Sequence, residues 1–217
     1  MVKAAGYHVR EYTMYSQLVP ELNNYWKENS TNTTIDRRLN VPEFIYGICN
    51  PGEYVVVLQN CKTVAFESND KRKGLDLDQT MVAVNHIARL HALSHSYNKT
   101  VSIIGKYPCL KVSKVISLFF KPLVFAVLEN CITFLKSLPD HSDMLKKLEI
   151  SRCTIPFKFQ TLYEDQTLHP ILCLIHSDFW NSNLLFRYTE SEEHPGGGYL
   201  MFQIHLTLFI LISIYIE

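Results

Sequence analysis

The chain has 217 residues, 47% of them hydrophobic and 19% charged, a composition typical of a soluble globular protein with a core. Lysine plus arginine and aspartate plus glutamate number 21 each, which argues against a nucleic-acid-binding protein and against an acidic disordered tail. The six cysteines form no CxxC pair, and the first residues contain no apolar segment of a secretory signal. We therefore expect reduced, mostly buried thiols in a cytoplasmic protein.

The N-terminal part of the chain predicts a helix followed by a strand hairpin. The segment HVREYTMYSQLVPELNNYW, residues 8–26, carries apolar side chains at helical spacing. That stripe consists of Tyr12, Tyr15, Leu18, Val19 and Leu22. Pro20 is expected to end or bend the helix. Apolar segments on both sides of a Pro-Gly turn at 51–52 predict an antiparallel hairpin over residues 42–60.

A long helix is predicted next, over residues 75–97, with Asp76 or Asp78 as its N-cap. Its core face is expected to run through Val84, Ile87, Ala88 and His91.

The second half of the chain predicts further helices and then two strands. Residues 110–137 have a helical pattern with a break expected near Pro122, and residues 140–150 predict a short amphipathic helix. Residues 171–175 and 183–188 predict two strands close together. Because the strands fall into two separate groups, the order favours a two-lobed α+β fold over an alternating α/β sheet.

The C-terminal segment YLMFQIHLTLFILISIYI, residues 199–216, differs from everything before it because it contains no charged residue if His205 is neutral. Its length is sufficient to cross a bilayer. A pair of buried strands and an abnormal end of the reading frame are the alternatives.

Three polar residues leave the end of the predicted strand at 171–175. His176, Asp178 and Asn183 have the H-x-D-x-x-x-x-N spacing of a kinase catalytic loop. Phosphoryl transfer needs a carboxylate near the attacking hydroxyl and an oxygen ligand for the magnesium that bridges the phosphates. One tight loop can supply both. The alternative is structural, with Asp178 capping a local turn that Asn183 stabilises.

His91 and His95 are one helical turn apart and could share a metal ion. Since no Cys, Asp or Glu nearby in the sequence completes a site, we favour a structural role for both.

The residues around the loop resemble a known family. The stretch HSDFWNSNLLFRY, residues 176–188, is similar to the H-G-D-x-W-x-x-N-x-x-F-x-Y loop of the ecdysteroid kinase-like proteins, also called CHK kinase-like. These are relatives of choline kinases and aminoglycoside phosphotransferases. Three earlier segments resemble other signatures of the family in the same order: REYTMYSQLVPEL, VPEFIYG and GLDLDQTMVAVNHIARLHALSHSY. The resemblance covers roughly residues 9–203.

The resemblance implies a bilobal protein kinase-like fold that uses ATP and Mg²⁺ to phosphorylate the hydroxyl of a small molecule, steroid-like or choline-like. Asp178 would be the catalytic residue, with His176 holding the loop in shape. Asn183 would bind the metal and its nucleotide. Glu11 would be the glutamate of the αC-type helix, and Lys3 would pair with the phosphates.

Several residues depart from the family pattern. Lys3 lies only eight residues before Glu11, and no glycine-rich loop precedes it in this sequence. Ser177 stands in place of the family's glycine, and Met201 stands where a metal-binding aspartate is expected. A thioether is a poor ligand for a hard cation such as Mg²⁺.

From these departures we expect a partial N-lobe with the hinge strand at residues 1–60, a truncated C-lobe with the catalytic loop at 61–199, and an apolar tail at 200–217. Three functions remain open. The chain is an active small-molecule kinase, a catalytically inactive kinase-like binding protein, or a fragment tethered to a membrane through residues 200–216.

Overall fold

The computed structural model describes residues 6–31, 39–111, 114–164, 171–176, 178–188, 198–202 and 209–213. Its helices are α1 (Tyr7–Thr13), α2 (Val19–Asn29), α3 (Leu77–Thr100), α4 (Ile103–Lys106), α5 (Lys114–Lys136), α6 (Ser142–Ser151) and α7 (Ile155–Glu164). Its strands are β1 (Phe44–Asn50), β2 (Glu53–Leu58), β3 (Glu67–Ser68), β4 (Leu172–His176), β5 (Leu184–Tyr188), β6 (Gly198–Phe202) and β7 (Phe209–Ser213). Helices with small separate sheets agree with the α+β class predicted from the sequence.

All three sheets are antiparallel. β1 and β2 form the predicted hairpin, β5 lies between β3 and β6, and β4 pairs with β7. The parts of the C-terminal segment that the structure describes are therefore strands, paired with β5 and β4. Within the described residues, no helix is long and apolar enough to cross a membrane.

Of the two outcomes expected at Pro20, an end of the helix is not observed. A π-helical turn at Met14–Leu18 joins α1 to α2, and Pro20 lies in the first turn of α2. Because proline has no N–H, the wider turn before it accommodates the missing helical hydrogen bond. The extra residue in the turn also brings Met14 fully into the core, beside the predicted Tyr15 and Leu18.

Pro122 likewise lies inside α5 without breaking it. The predicted break is wrong because α5 packs along both α6 and α7, and this packing outweighs the cost of one proline in the helix.

The long helix α3 begins where predicted. The side chain of Asp76 accepts a hydrogen bond from the backbone of Gln79 at 2.8 Å, and Gln79 Oε1 accepts one from the backbone of Asp76 at 3.1 Å. Such a reciprocal capping box typically stabilises a helix by about 1 kcal/mol.

The predicted core face of α3 is only partly correct, because Ile87 packs against the core but Val84 and Ala88 are exposed. Val84 is 52% exposed, and the buried positions on the helix are Gln79, Ala83, His86, Leu90, Ser94 and Tyr97. This set is also spaced as one helical face, but half of it is polar. Each polar member has a hydrogen-bond partner: Gln79 bonds to Tyr188, His86 to Asn40, and Ser94 to the backbone of β4.

One core connects the N-terminal helix to the strands near the C-terminus. Its fully buried members come from the π-turn, α2, α4, β4 and β5. They include Tyr15, Leu22, Ile103, Leu174 and Leu184. The core therefore fixes both strands that flank the loop at 177–183.

The thiols are less buried than expected. Cys61 and Cys173 are buried, Cys49 and Cys109 are half-buried, and Cys131 and Cys153 are exposed. All six are free.

Candidate active site

The loop predicted to be catalytic connects two different sheets. β4 ends at His176, a short 3₁₀ turn covers Asn181–Asn183, and β5 begins at Leu184. Since Leu174 and Leu184 are both buried, each end of the loop is anchored in the core. The polar residues of the loop are therefore positioned by two strands that are anchored in the core.

Asp178 and Asn183 contact each other directly. The Nδ2 of Asn183 donates to the backbone carbonyl of Asp178 at 2.7 Å and to its Oδ2 at 2.8 Å. Asn183 is buried, whereas Asp178 is half-buried. With its nitrogen held against two acceptors, the Asn183 amide must direct its oxygen away from the carboxylate. Oxygen is the ligand that Mg²⁺ prefers, so this geometry fits a metal beside the loop.

His176 holds the backbone at the start of the loop. Its Nδ1 accepts a hydrogen bond from the backbone N–H of Asp178 at 3.2 Å. This role requires a neutral ring whose proton is on Nε2. Burial lowers the pKa of His176, which favours that neutral form. The ring also contacts Phe179 edge-on, with 5.9 Å between ring centroids.

The stability of the protein should therefore fall in mild acid. A histidine whose pKa is lowered in the folded state favours folding above its ordinary pKa of 6.5, and this stabilisation is lost as the pH falls through the lowered value. We expect His176→Asn, which keeps an acceptor but does not titrate, to reduce the loss of stability. Urea unfolding of both proteins at about pH 7.5 and about pH 5.5 measures the difference. An identical acid loss in the variant would contradict the assignment.

Two residues of α3 that the sequence analysis did not assign to the site hold β4 in place. The Oγ of Ser94 accepts a hydrogen bond from the backbone N–H of Leu174 at 2.9 Å, and His95 Nδ1 donates to the carbonyl of Leu172 at 2.9 Å. Ser94 is completely buried and also donates to the carbonyl of Leu90 at 2.7 Å. The sequence signal was available, since Ser94 belongs to a segment that resembles a family signature.

Replacing Ser94 with alanine should destabilise the protein by about 1–3 kcal/mol, because the backbone N–H of Leu174 would be left buried without its acceptor. Ser96→Ala, two residues along the same helix but exposed, is the control and should cost less than half as much. Chemical denaturation of the two variants makes the comparison. Equal losses of unfolding free energy in the two variants would show that the hydrogen bond to Leu174 does not contribute specifically to stability.

His91 and His95, for which the sequence favoured a structural role over a shared metal ion, differ in their surroundings. His95 is bonded to Leu172, and burial lowers the pKa of His91. In the part of the chain that the structure describes, no cluster of three or more His, Cys, Asp or Glu side chains could hold a metal ion.

The structure brings together His176, Asp178 and Asn183 on one loop. Glu11 lies half-buried on α1, which packs against the hairpin β1–β2. This packing is close, since a Cβ at Gly47 would lie 2.7 Å from the carbonyl oxygen of Val55 and 3.0 Å from the ring of Tyr12. Lys3 falls outside the described residues.

The remaining departures from the family pattern fall in or beside the same region. Met201 lies in β6, directly opposite Leu185 of β5. Leu185 follows Asn183 by two residues. Ser177 falls outside the described residues.

The loop between two strands thus carries a His, an Asp and an Asn at the spacing of a kinase catalytic loop, with the Asn bonded to the Asp. A family model described as the ecdysteroid kinase-like family matches residues 1–204, and the chain belongs to this family. Comparisons with curated proteins and with solved structures gave no match.

Proposed function

We propose that the chain is a kinase-like small-molecule phosphotransferase in which Asp178 acts on the acceptor hydroxyl and Asn183 serves as a magnesium ligand. Membership of the ecdysteroid kinase-like family suggests the general activity. The observation that carries the residue roles is the double hydrogen bond from Asn183 to Asp178. It fixes a carboxylate and an amide oxygen in one loop, as the reaction requires.

In this mechanism Asp178 orients the hydroxyl of the alcohol and accepts its proton as the phosphoryl group is transferred. His176 keeps the loop backbone in position through its bond to the N–H of Asp178. The amide oxygen of Asn183 would hold Mg²⁺, which when bound would supply charge neutralisation for the phosphates of ATP. Glu11 and Lys3 are proposed to form the ion pair that positions the phosphates.

We further propose that transfer is weak in this chain. Met201 replaces the aspartate expected from the family as the second metal ligand beside Asn183, and sulfur binds Mg²⁺ poorly. The same residue favours the second candidate function, a catalytically inactive binding protein that keeps the kinase-like fold. Residues 1–60 and 61–199 are proposed as the partial N-lobe and the C-lobe, with the acceptor, a steroid-like or choline-like alcohol, bound at the cleft between them.

A direct assay tests the activity. The purified chain, at high concentration, is incubated with Mg·ATP and either a polyhydroxylated steroid or choline, and phosphomonoester is detected by mass spectrometry. We expect slow product formation that disappears without Mg²⁺ and in Asn183→Ala. Product that persists in Asn183→Ala would contradict the metal role. Absence of product with both acceptors would support the binding protein instead.

A further inference from the structure

A small cleft lies between the C-terminal half of α2 and the middle of α3. Its volume is about 280 Å³, just below the roughly 300 Å³ at which the usual range for ligand pockets begins. The described residues that form its walls include Tyr25 and Trp26 from α2, and Arg89, Ala92 and Leu93 from α3.

The aromatic wall of this cleft is fixed in the absence of a ligand. The hydroxyl of Tyr25 lies 3.0 Å from Ser96 Oγ, and its ring packs edge-on against Tyr97 with 5.3 Å between centroids. A wall held in place in this way loses little conformational freedom when a flat molecule binds against it.

The described walls of the cleft carry a positive charge. Arg89 alone carries a charge among the described residues that line it. Arg89 makes no ion pair within the described part of the chain. Burial first, and then the uncompensated charge of Arg89, lower the pKa of His86 one turn away. A guanidinium in this setting is suited to a carboxylate, which it can bind with two parallel hydrogen bonds.

The cleft is separate from the loop at 177–183. Ser94 and His95 of α3 form hydrogen bonds with the strand before that loop. Arg89 and Leu93 line the cleft instead.

We propose that this cleft is a second binding site, which takes a small organic anion with a flat apolar body. The apolar body packs against Tyr25 and Trp26, and a carboxylate pairs with the guanidinium of Arg89. This site does not depend on phosphotransfer, so its test does not use that activity.

Naphthaleneacetate is a suitable probe, and its amide, naphthaleneacetamide, is a control of nearly identical shape without the charge. The chain contains two tryptophans, Trp26 in the cleft and the exposed Trp180 beside the loop. Their indole N–H signals in proton–nitrogen correlation spectra, assigned with Trp180→Phe, report on the two places separately. We expect naphthaleneacetate to shift the signal of Trp26 and to bind about tenfold or more tightly than the amide. A shift confined to Trp180, equal affinity for both probes, or no binding would overturn the proposal.

Two variants complete the test. Arg89→Gln should lower the affinity for naphthaleneacetate by about tenfold or more and change the affinity for the amide by less than about twofold. Arg72→Gln, an exposed arginine elsewhere, should change neither. Ala92→Phe fills the cleft without touching the charge and should abolish binding of both probes. Thermal melting confirms that each variant is folded. Unchanged binding of naphthaleneacetate in Arg89→Gln and Ala92→Phe would place the ligand elsewhere and refute the site.

Discussion

Asp178→Asn is expected to lower phosphotransfer to an alcohol by about a hundredfold to ten-thousandfold, because an amide cannot accept the proton of the attacking hydroxyl. Asparagine retains an oxygen that can accept the hydrogen bond from Asn183, so the loop should keep its shape. The melting temperature should therefore barely change. Steady-state rates with Mg·ATP and a responsive alcohol measure the loss.

The matched control for this variant is Asp143→Asn, which removes an exposed carboxylate near the start of α6. It should leave the rate unchanged. If Asp178→Asn transfers phosphate as fast as the natural chain, Asp178 is not the catalytic residue, whatever happens to stability.

Met201→Asp is expected to strengthen the binding of ATP in the presence of Mg²⁺ by about a hundredfold. Of the two magnesium ligands expected from the family, an asparagine and an aspartate, the natural chain has only the neutral Asn183. A close, partly desolvated charge contact is typically worth a few kcal/mol. Calorimetric titration with ATP, with and without Mg²⁺, measures the gain. In this variant the effect of Asp178→Asn should also be easier to observe.

Met201→Leu provides the control, since it keeps an apolar side chain and should bind Mg·ATP as weakly as the natural chain. Low-micromolar, magnesium-dependent binding by the natural chain would mean that another carboxylate replaces the missing ligand, and the proposed impairment would be wrong. No gain in Met201→Asp would mean that position 201 does not face the metal.

The sequence predicted the elements whose signals are local. The hairpin depends on the Pro-Gly turn, and Gly52 adopts a positive φ of 87° there. The start of α3 depends on Asp76 and Gln79, which are three residues apart. The loop from His176 to Asn183 depends on residue types at fixed spacing, and its two strands on continuous apolar runs.

Features that depend on partners distant in the sequence could not be predicted in this way. The core face of α3 was partly misplaced because hydrophobicity alone excludes His86 and Ser94, whose burial is made possible by Asn40 and by the backbone of Leu174. The sequence predicted an end or bend of the helix at Pro20 and a break near Pro122. The π-turn accommodates Pro20, and the packing of α5 accommodates Pro122. Ser94 lies in a segment that resembles a family signature, but its hydrogen bond with the N–H of Leu174 spans 80 residues of sequence.

The bonds from Ser94 and His95 to β4 have a consequence for the behaviour of the chain at high concentration. Among the residues that the structure describes, β4 pairs with a strand on one side only, the one occupied by β7. Its other side is an edge, whose backbone groups could otherwise pair with a strand of a second molecule. On that edge, the N–H of Leu174 and the carbonyl of Leu172 are occupied by side chains of a helix in the same molecule. The apolar strand that carries the candidate catalytic loop is thereby protected against intermolecular β-pairing, the first step of aggregation.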